Sequence, residues 1–364
     1  MLQFFNDLYK QYFSDQEAVL LIILLGLGLT VVVTMGAVLA PVLTAIVLAY
    51  LLQGLITAMV RRRLPQGIAF IVTYVLFLAA QAVFLFVLIP LTWGQLVRLV
   101  NDQLPRMLVE ANAFLNGLPQ RYPEIVSADA AKELSSFTTK TVTDVVQSVL
   151  SVSLSSFENL MGLLIFLVLV PLLVFFFLKD RERLVAWTVS FLPEERPFIS
   201  RVMSEMDTQI SNYVRGKAIE ILICGVVTYI GFAVMGVNYA ALLAVLVGVS
   251  VVVPYIGAVV VTVPVALVAY FQFGWGSEFM WVMVVYGIIQ GLDGNVLVPL
   301  LFSEAVNLHP VAIIIAVLVF GGFWGVWGVF FAIPLATLVK AVISAWPKQE
   351  QPPNTAEWLE VGED

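Results

Sequence analysis

Apolar runs long enough to cross a lipid bilayer recur along this chain and constrain its fold more than any other feature. Runs of about 18 residues or more with few charges are typical of membrane-spanning helices. Hydrophobic residues make up 61% of the 364 positions and charged residues only 12%, about half the charge of a soluble domain. We therefore predict an all-α polytopic membrane protein. Its six candidate full spans cover about residues 18–39, 41–60, 67–91, 159–178, 218–236 and 279–301.

Two further apolar stretches, 240–272 and 308–342, are too long and too interrupted to be simple spans. As one helix the first would be roughly 50 Å long, against a hydrocarbon core of about 30 Å. Proline removes a backbone donor and clashes with the preceding turn, so neither stretch is expected to form one continuous helix. The interrupting residues are Pro254, Tyr255 and Gly257 in the first stretch and Gly321, Gly322, Gly325 and Gly328 in the second.

The two broken stretches follow the same plan, because each comes after a single span and each has a second half that leads to a proline, Pro264 or Pro334. This pattern indicates a duplicated unit of one helix plus one broken element. If each broken element is a re-entrant hairpin, the two units have opposite membrane orientation and form an inverted repeat. If each is a kinked crossing, the chain has eight spans. The two alternatives place Ser277 and Asn307 on different sides of the membrane.

The segment between the third and fourth spans, from Trp93 to Glu158, predicts a small soluble insertion of two helices. Apolar residues recur there at three- and four-residue steps, as on amphipathic helices. We thus expect five regions along the chain. They are an N-terminal three-span bundle (1–91), a soluble helical insertion (92–158), span four with a cytoplasmic helical region (159–217), a transport core with the duplicated unit (218–346) and an acidic cytoplasmic tail (347–364).

Lysine and arginine in the loops predict the orientation, because short cytoplasmic loops carry an excess of both. Basic residues follow span two at 61–63 and span four at 179–183, and Lys340 and Lys348 lie near the C-terminus. We therefore expect a multi-pass protein of the inner (plasma) membrane with both termini cytoplasmic. The insertion then lies on the extracytoplasmic side.

Asp293 is the strongest single indication of a functional site, because it lies near the middle of the sixth span. A carboxylate at the bilayer centre costs about 2.5–3.5 kcal/mol, so it should face a cavity or a partner. Gln290 and Asn295 add polar groups in the same turn region. We predict that Asp293 carries coupling charge beside the two breaks. A structural hydrogen bond to backbone freed near Gly294 or Pro299 is the alternative.

Glu304, His309, Glu220 and Arg215 are candidates for coupling or gating. His309 is the only histidine, and histidine is the side chain most suited to switching charge at physiological pH. For Glu304 and His309 the alternative is a helix cap or a loop hydrogen bond. For Glu220 the alternative is an interfacial ion pair with Arg215 or Lys217.

The residue inventory argues against an enzyme. One histidine and one cysteine, Cys224, leave no HExxH motif and no cysteine-based metal site. The sequence contains neither a phosphate-binding glycine loop nor a basic run suited to nucleic acid. We expect no cofactor, no metal and no nucleic-acid partner. Paired broken segments in corresponding positions point to a transporter's binding site. The alternative is a channel or membrane scaffold whose glycines only allow close helix packing.

At these same residues the sequence resembles the autoinducer-2 exporter family, and within it the PerM-type permeases. The resemblance covers nearly the whole chain. It implies an inner-membrane secondary transporter that forms a homo-oligomer, with a pentamer as one arrangement, and relatives' substrates that range from autoinducer-2 to sodium and protons. The motifs that carry it are Asn212-Tyr213-Val214-Arg215-Gly216-Lys217, Val253-Pro254-Tyr255-Ile256-Gly257, Asp293-Gly294-Asn295, Val298-Pro299, Leu308-His309-Pro310, Phe320-Gly321-Gly322, Trp324-Gly325 and Phe331-Ala332-Ile333-Pro334-Leu335-Ala336.

Overall fold

A computed structural model of the chain describes residues 16–123, 127–158, 160–302 and 308–345. Within these ranges the backbone is helical almost throughout and contains no strand, which confirms the all-α class. The predicted tail at 347–364 lies outside the described residues. The helices are α1 (Gln16–Arg61), α2 (Gln66–Val83), α3 (Ile89–Arg98), α4 (Leu104–Arg121), α5 (Ala128–Glu158), α6 (Leu160–Lys179), α7 (Arg181–Val189), α8 (Pro197–Val234), α9 (Ala240–Ser250), α10 (Ile256–Phe273), α11 (Ser277–Leu292), α12 (Val298–Phe302), α13 (Pro310–Phe330) and α14 (Ala332–Ala345).

In the described part of the chain, eight helical segments are long and apolar enough to cross a membrane. Six of them overlap the predicted full spans, and the other two, Ile256–Phe273 and Pro310–Phe330, belong to the broken stretches. The first two spans lie in one 46-residue helix, α1, which kinks at Met35 (φ −115°, ψ 15°). The polytopic architecture predicted from the apolar runs is therefore confirmed.

The third span continues without a loop into the insertion. Residues Gln66–Arg121 form one 56-residue helical rod, in which π-helical turns at Phe84–Leu88 and Leu99–Gln103 join α2, α3 and α4. At 1.5 Å per residue such a rod is roughly 84 Å long, far more than a bilayer needs. Its far end, α4, packs along α5, so the two helices predicted in the insertion are present.

The helices form two compact groups. One group consists of the start of α1, α7, the first half of α8, α13 and α14. Its core contains Leu21, Ile199 and Val202, all nearly inaccessible to solvent. The Glu17 carboxylate accepts a hydrogen bond from the Phe198 backbone N–H at 3.1 Å. A carboxylate at this position caps free N–H groups and faces the positive end of the α8 dipole.

The other compact group covers residues 41–180 and 214–303, and it includes the first broken stretch. One of its cores joins α8, α9, α10 and α11 through residues such as Phe232, Leu243, Val265 and Val282. The start of α9 is fixed from outside that core, because the Gln95 side-chain oxygen accepts a hydrogen bond from Leu242 N at 2.8 Å.

The first broken stretch is a hairpin. Its two ends meet, because the Gln272 side chain donates to Gly236 O and accepts from Asn238 N, each at 2.7 Å. At the turn, Ile256 N donates to Pro254 O at 2.6 Å around Tyr255, whose φ is 62°. That geometry is a classic γ-turn, a rare and strained reversal. The chain thus enters and leaves at the same end, as the hairpin alternative predicts.

The second broken stretch also reverses, at Gly325 (φ 59°, ψ −137°) inside α13. A Cβ added to Gly328 would overlap the Phe320 carbonyl, although residues eight apart in a straight helix are separated by roughly 12 Å. In the first hairpin a Cβ on Gly257 would likewise overlap the Ser250 carbonyl. The two stretches therefore share one device, a glycine that packs directly on the backbone of the preceding half-helix.

This shared device predicts that an added methyl group destabilises either hairpin. Gly257→Ala and Gly328→Ala should each lower the free energy of unfolding by about 1–3 kcal/mol, because the backbone must move to accept the Cβ. Thermal unfolding in detergent measures the effect. Gly287→Ala, at a helical position with open space around it, is the matched control. Unchanged midpoints in both hairpin variants would show that the close contacts do not exist.

The meeting of the hairpin ends predicts a specific cross-link. In a Cys224→Ser background, Asn238→Cys and Gln272→Cys should join readily through a short thiol cross-linker, and mass spectrometry of the digested protein should find the linked peptides. A pair at Asn238→Cys and Ser250→Cys, at opposite ends of α9, is the control and should stay unlinked. Absence of the 238–272 link would favour a kinked full crossing, whose ends lie about 30 Å apart.

Candidate functional site

A buried polar stripe runs along one face of α8 from Lys217 onwards, where the helix is otherwise largely apolar. Its members follow one another at three- and four-residue steps, the spacing that puts side chains on one helical face. Buried charges and polar groups are costly in an apolar environment unless they find partners. The stripe and the exposed fractions of its members are Lys217 (3%), Glu220 (2%), Cys224 (2%) and Thr228 (0%).

Lys217 joins α8 to the tip of the first hairpin. Its Nζ lies 2.7 Å from Glu220 Oε2 and donates a hydrogen bond to the Val251 carbonyl at 2.9 Å. Val251 directly follows α9, where carbonyl groups lack intrahelical donors and carry the negative end of the helix dipole. The ammonium also lies 5.1 Å from the centre of the Phe302 ring. Lys217 is thus the cation that compensates both the Glu220 carboxylate and the end of a half-helix.

Glu220 has the partner that one sequence hypothesis gave it, Lys217, but it is buried rather than interfacial. Arg215, the other proposed partner, has an exposed side chain that lies across Gly54. A buried pair adds little net stability, whereas loss of one member leaves an uncompensated charge that costs about 3–5 kcal/mol. The site therefore tolerates removal of both charges better than removal of one.

Asp293 is buried, with 9% exposure, at the first position of the π-helical turn Asp293–Leu297. Its Oδ1 accepts a hydrogen bond from the Cys224 thiol at 3.1 Å. π-helical turns carry an extra residue per turn and often occur at functional sites. The carboxylate singled out by the sequence thus faces the same stripe of α8 that holds Glu220.

The other predicted residues near Asp293 and the first break have different surroundings. Asn295 is exposed, and its Nδ2 donates to Gly291 O at 2.8 Å within its own helix. Gln290 is half-buried, Pro254 is half-buried in the turn, and Tyr255 is exposed. Asp293 therefore contacts the polar stripe of α8 through Cys224, whereas the Asn295 amide bonds to the backbone of its own helix.

The tip of the second hairpin is aromatic. Trp324 and Trp327 both stack on the Phe331 ring. Within the described part of the chain, the buried Trp324 Nε1 has no hydrogen-bond partner. Val329 covers Gly321, whereas Gly322 and Gly325 are exposed. This tip offers a buried N–H donor and ring faces rather than charge.

The two remaining coupling candidates lie just before α13. His309 is exposed and caps that helix, because its Nδ1 accepts a hydrogen bond from Val311 N at 3.3 Å. The cap alternative for His309 is therefore confirmed. Glu304 lies outside the described residues.

Lys217 and Cys224 were missed as site residues from sequence alone. From the sequence, Lys217 is only a candidate ion-pair partner of Glu220, and Cys224 is only a single cysteine that forms no metal site. The signal that could have found them is their spacing with Glu220, since steps of three and four place all three on one face. The stripe thus gathers a lysine, a carboxylate and a thiol beside the Val251 carbonyl and Asp293.

Comparisons with known proteins agree with this architecture. Residues 19–348 match the family model described as AI-2E family transporter. The chain is 46% identical to "Putative permease PerM" of Escherichia coli strain K12 over 347 residues, which cover 95% of this chain and 98% of that protein.

More distant relatives carry transport names as well. The chain is 25% identical to "Putative transport protein YueF" of Bacillus subtilis strain 168, over 83% of this chain and 82% of the relative. It is 24% identical to "Putative transport protein YhhT" of Escherichia coli strain K12, over 87% of this chain and 89% of the relative. The chain is thus a multi-pass membrane protein with a general role in transport, and it belongs to the AI-2E transporter family.

Proposed function

We propose that the protein is a secondary transporter that exports a small solute across the inner membrane and couples this export to protons or sodium. The observation that carries the proposal is the buried stripe of α8 together with Asp293, which contacts it through Cys224. Lys217, Glu220 and Asp293 place charged groups inside apolar helices. Ionisable residues within membrane helices are costly and by default indicate a path for ions or substrates.

The hairpins supply the second requirement of a carrier, backbone groups that can bind a ligand. In transporters the ends of broken helices point at the bound solute or ion, because their peptide groups have no intrahelical partner. Here the end of α9 already binds one cationic group through the Val251 carbonyl. The Trp324 N–H at the second tip has no partner within the described residues, and we assign it to solute binding.

Asp293 is the proposed coupling residue. The Cys224 thiol donates to its Oδ1, an arrangement that suits an ionised carboxylate, since a carboxylate accepts hydrogen bonds only. Binding a proton or sodium ion at this carboxylate would remove the charge that the thiol contacts. A change in the α8–α11 contact would then follow from ion binding.

The solute proposed first is autoinducer-2, the molecule in the family's name. A small polar solute would use hydrogen bonds to free peptide groups rather than charge. We further propose a homo-oligomer, with a pentamer as one arrangement, embedded in the inner membrane with both termini in the cytoplasm.

Asp293→Asn should abolish counterflow of labelled autoinducer-2 in proteoliposomes, or remove its dependence on pH and sodium, while the protein stays folded. The amide keeps the shape of the side chain but holds neither a proton nor a cation. Glu278→Gln is the matched control, because Glu278 is an exposed carboxylate on the same helix. Unchanged coupling in Asp293→Asn would reject the role of Asp293. High-rate conductance in planar bilayers, without counterflow, would identify a channel.

The orientation predicts which single cysteines react from outside the cell. In a Cys224→Ser background, Ser277→Cys should be labelled by an impermeant maleimide in intact cells. The reason is that α8 crosses from the predicted cytoplasmic side to the outside, and the first hairpin returns to the side on which α8 ends. Ser190→Cys, an exposed serine after α7 in the predicted cytoplasmic region, is the control and should react only after the cells are broken. The reverse pattern would overturn the proposed orientation.

A further inference from the structure

We propose that the Lys217 ammonium is the resident cation of an alkali-cation site, whose oxygen ligands are the Glu220 carboxylate and the Val251 carbonyl at the tip of the first hairpin. The lysine takes the place that a dissolved sodium ion would otherwise occupy. This goes beyond the transport proposal, because it concerns which cation fills the site, and binding measurements test it without any transport assay.

The geometry around Nζ is that of a cation held by hard oxygen ligands. Glu220 Oε2 lies 2.7 Å away, and the Val251 oxygen lies 2.9 Å away. Carboxylate and carbonyl oxygens are the ligands preferred by ions such as Na⁺. Neither oxygen is supplied by a flexible loop side chain, since one group is anchored on α8 and the other is backbone.

The charge at this point favours a monovalent ion. Among the described residues, the direct contacts of Nζ are one carboxylate and one neutral carbonyl, so a single positive charge neutralises the Glu220 carboxylate. The other buried carboxylate of this cluster, Asp293, accepts from the Cys224 thiol instead. A divalent ion between Glu220 and Val251 would carry a charge that neither ligand compensates, which is costly in a buried region. The Phe302 ring, 5.1 Å from Nζ, attracts any cation over its face.

Burial makes the resident lysine different from a surface ion pair. Lys217 is 3% exposed and Glu220 is 2% exposed, so the bulk solvent does not screen this pair in the folded protein. Because the ammonium is tethered to α8, it keeps the tip of the hairpin closed at any salt composition. The wild-type protein should therefore need no alkali ion here, and removal of the amine should create that need.

The test uses thermal unfolding of the purified full-length protein in detergent, with NaCl compared against choline chloride at equal ionic strength. Lys217→Met should unfold at a higher midpoint in NaCl than in choline chloride, by roughly 3 °C more than the wild type does, because a ligand bound only by the folded state stabilises it. Sodium bound at Asp293 would shift the wild type and both variants alike. The wild type and Lys217→Met/Glu220→Gln should therefore show the same NaCl effect, since the first retains its ammonium and the second has lost the carboxylate.

Lys217→Gln is the second variant in case the methionine variant does not fold. Its amide can still donate to the Val251 carbonyl, but it leaves the Glu220 charge uncompensated, so the same sodium dependence is expected. A NaCl effect in the folded single variant that is no larger than in the wild type would overturn the proposal. So would an excess over the wild type that survives in the double variant, or an excess produced by MgCl₂ and not by NaCl.

Discussion

Backbone groups set free inside a membrane protein must find partners within the protein, because the surrounding hydrocarbon offers none. The two broken stretches create that demand twice, and the structure meets it through close packing and through one side chain. Gly257 and Gly328 let each returning half-helix lie directly on the backbone of the first half. At the end of α9 the Val251 carbonyl is instead satisfied by the buried ammonium of Lys217. The shape of the hairpins and the position of the charged stripe both follow from this constraint.

The two hairpin tips share a backbone plan but differ in chemistry. The first places a lysine and a carboxylate beside the Val251 carbonyl, whereas the second gathers Trp324, Trp327 and Phe331. A duplicated unit whose copies had equal roles would have no physical reason to keep one tip charged and the other aromatic. The difference fits a division in which the first tip handles charge and the second handles the solute through an N–H donor and ring faces.

The sequence predicted the spans and the breaks well, because both depend on local properties: length of apolar runs, proline and glycine. It could not decide between hairpins and kinked spans, since that depends on whether distant positions such as Asn238 and Gln272 meet. Asp293 was found because a carboxylate inside a span is rare. Lys217 was not predicted as a site residue because the apolar run begins after it in sequence. In the structure it lies inside α8, a single helix of 38 residues. Periodicity defines a helical face but not the element that covers it.

One face of α8 contacts two other elements, the tip of the first hairpin and the π-helical turn at Asp293. Lys217 donates to the Val251 carbonyl at the tip, and the Cys224 thiol donates to Asp293. Lys217 and Cys224 are seven positions apart, which is roughly 10 Å along the helix. A shift of α8 along its axis by one residue would lengthen both hydrogen bonds together, because each joins α8 to a separate element. Under the proposed function, a change of charge at Asp293 would therefore reach the hairpin tip through α8 itself, without a longer chain of intermediate residues.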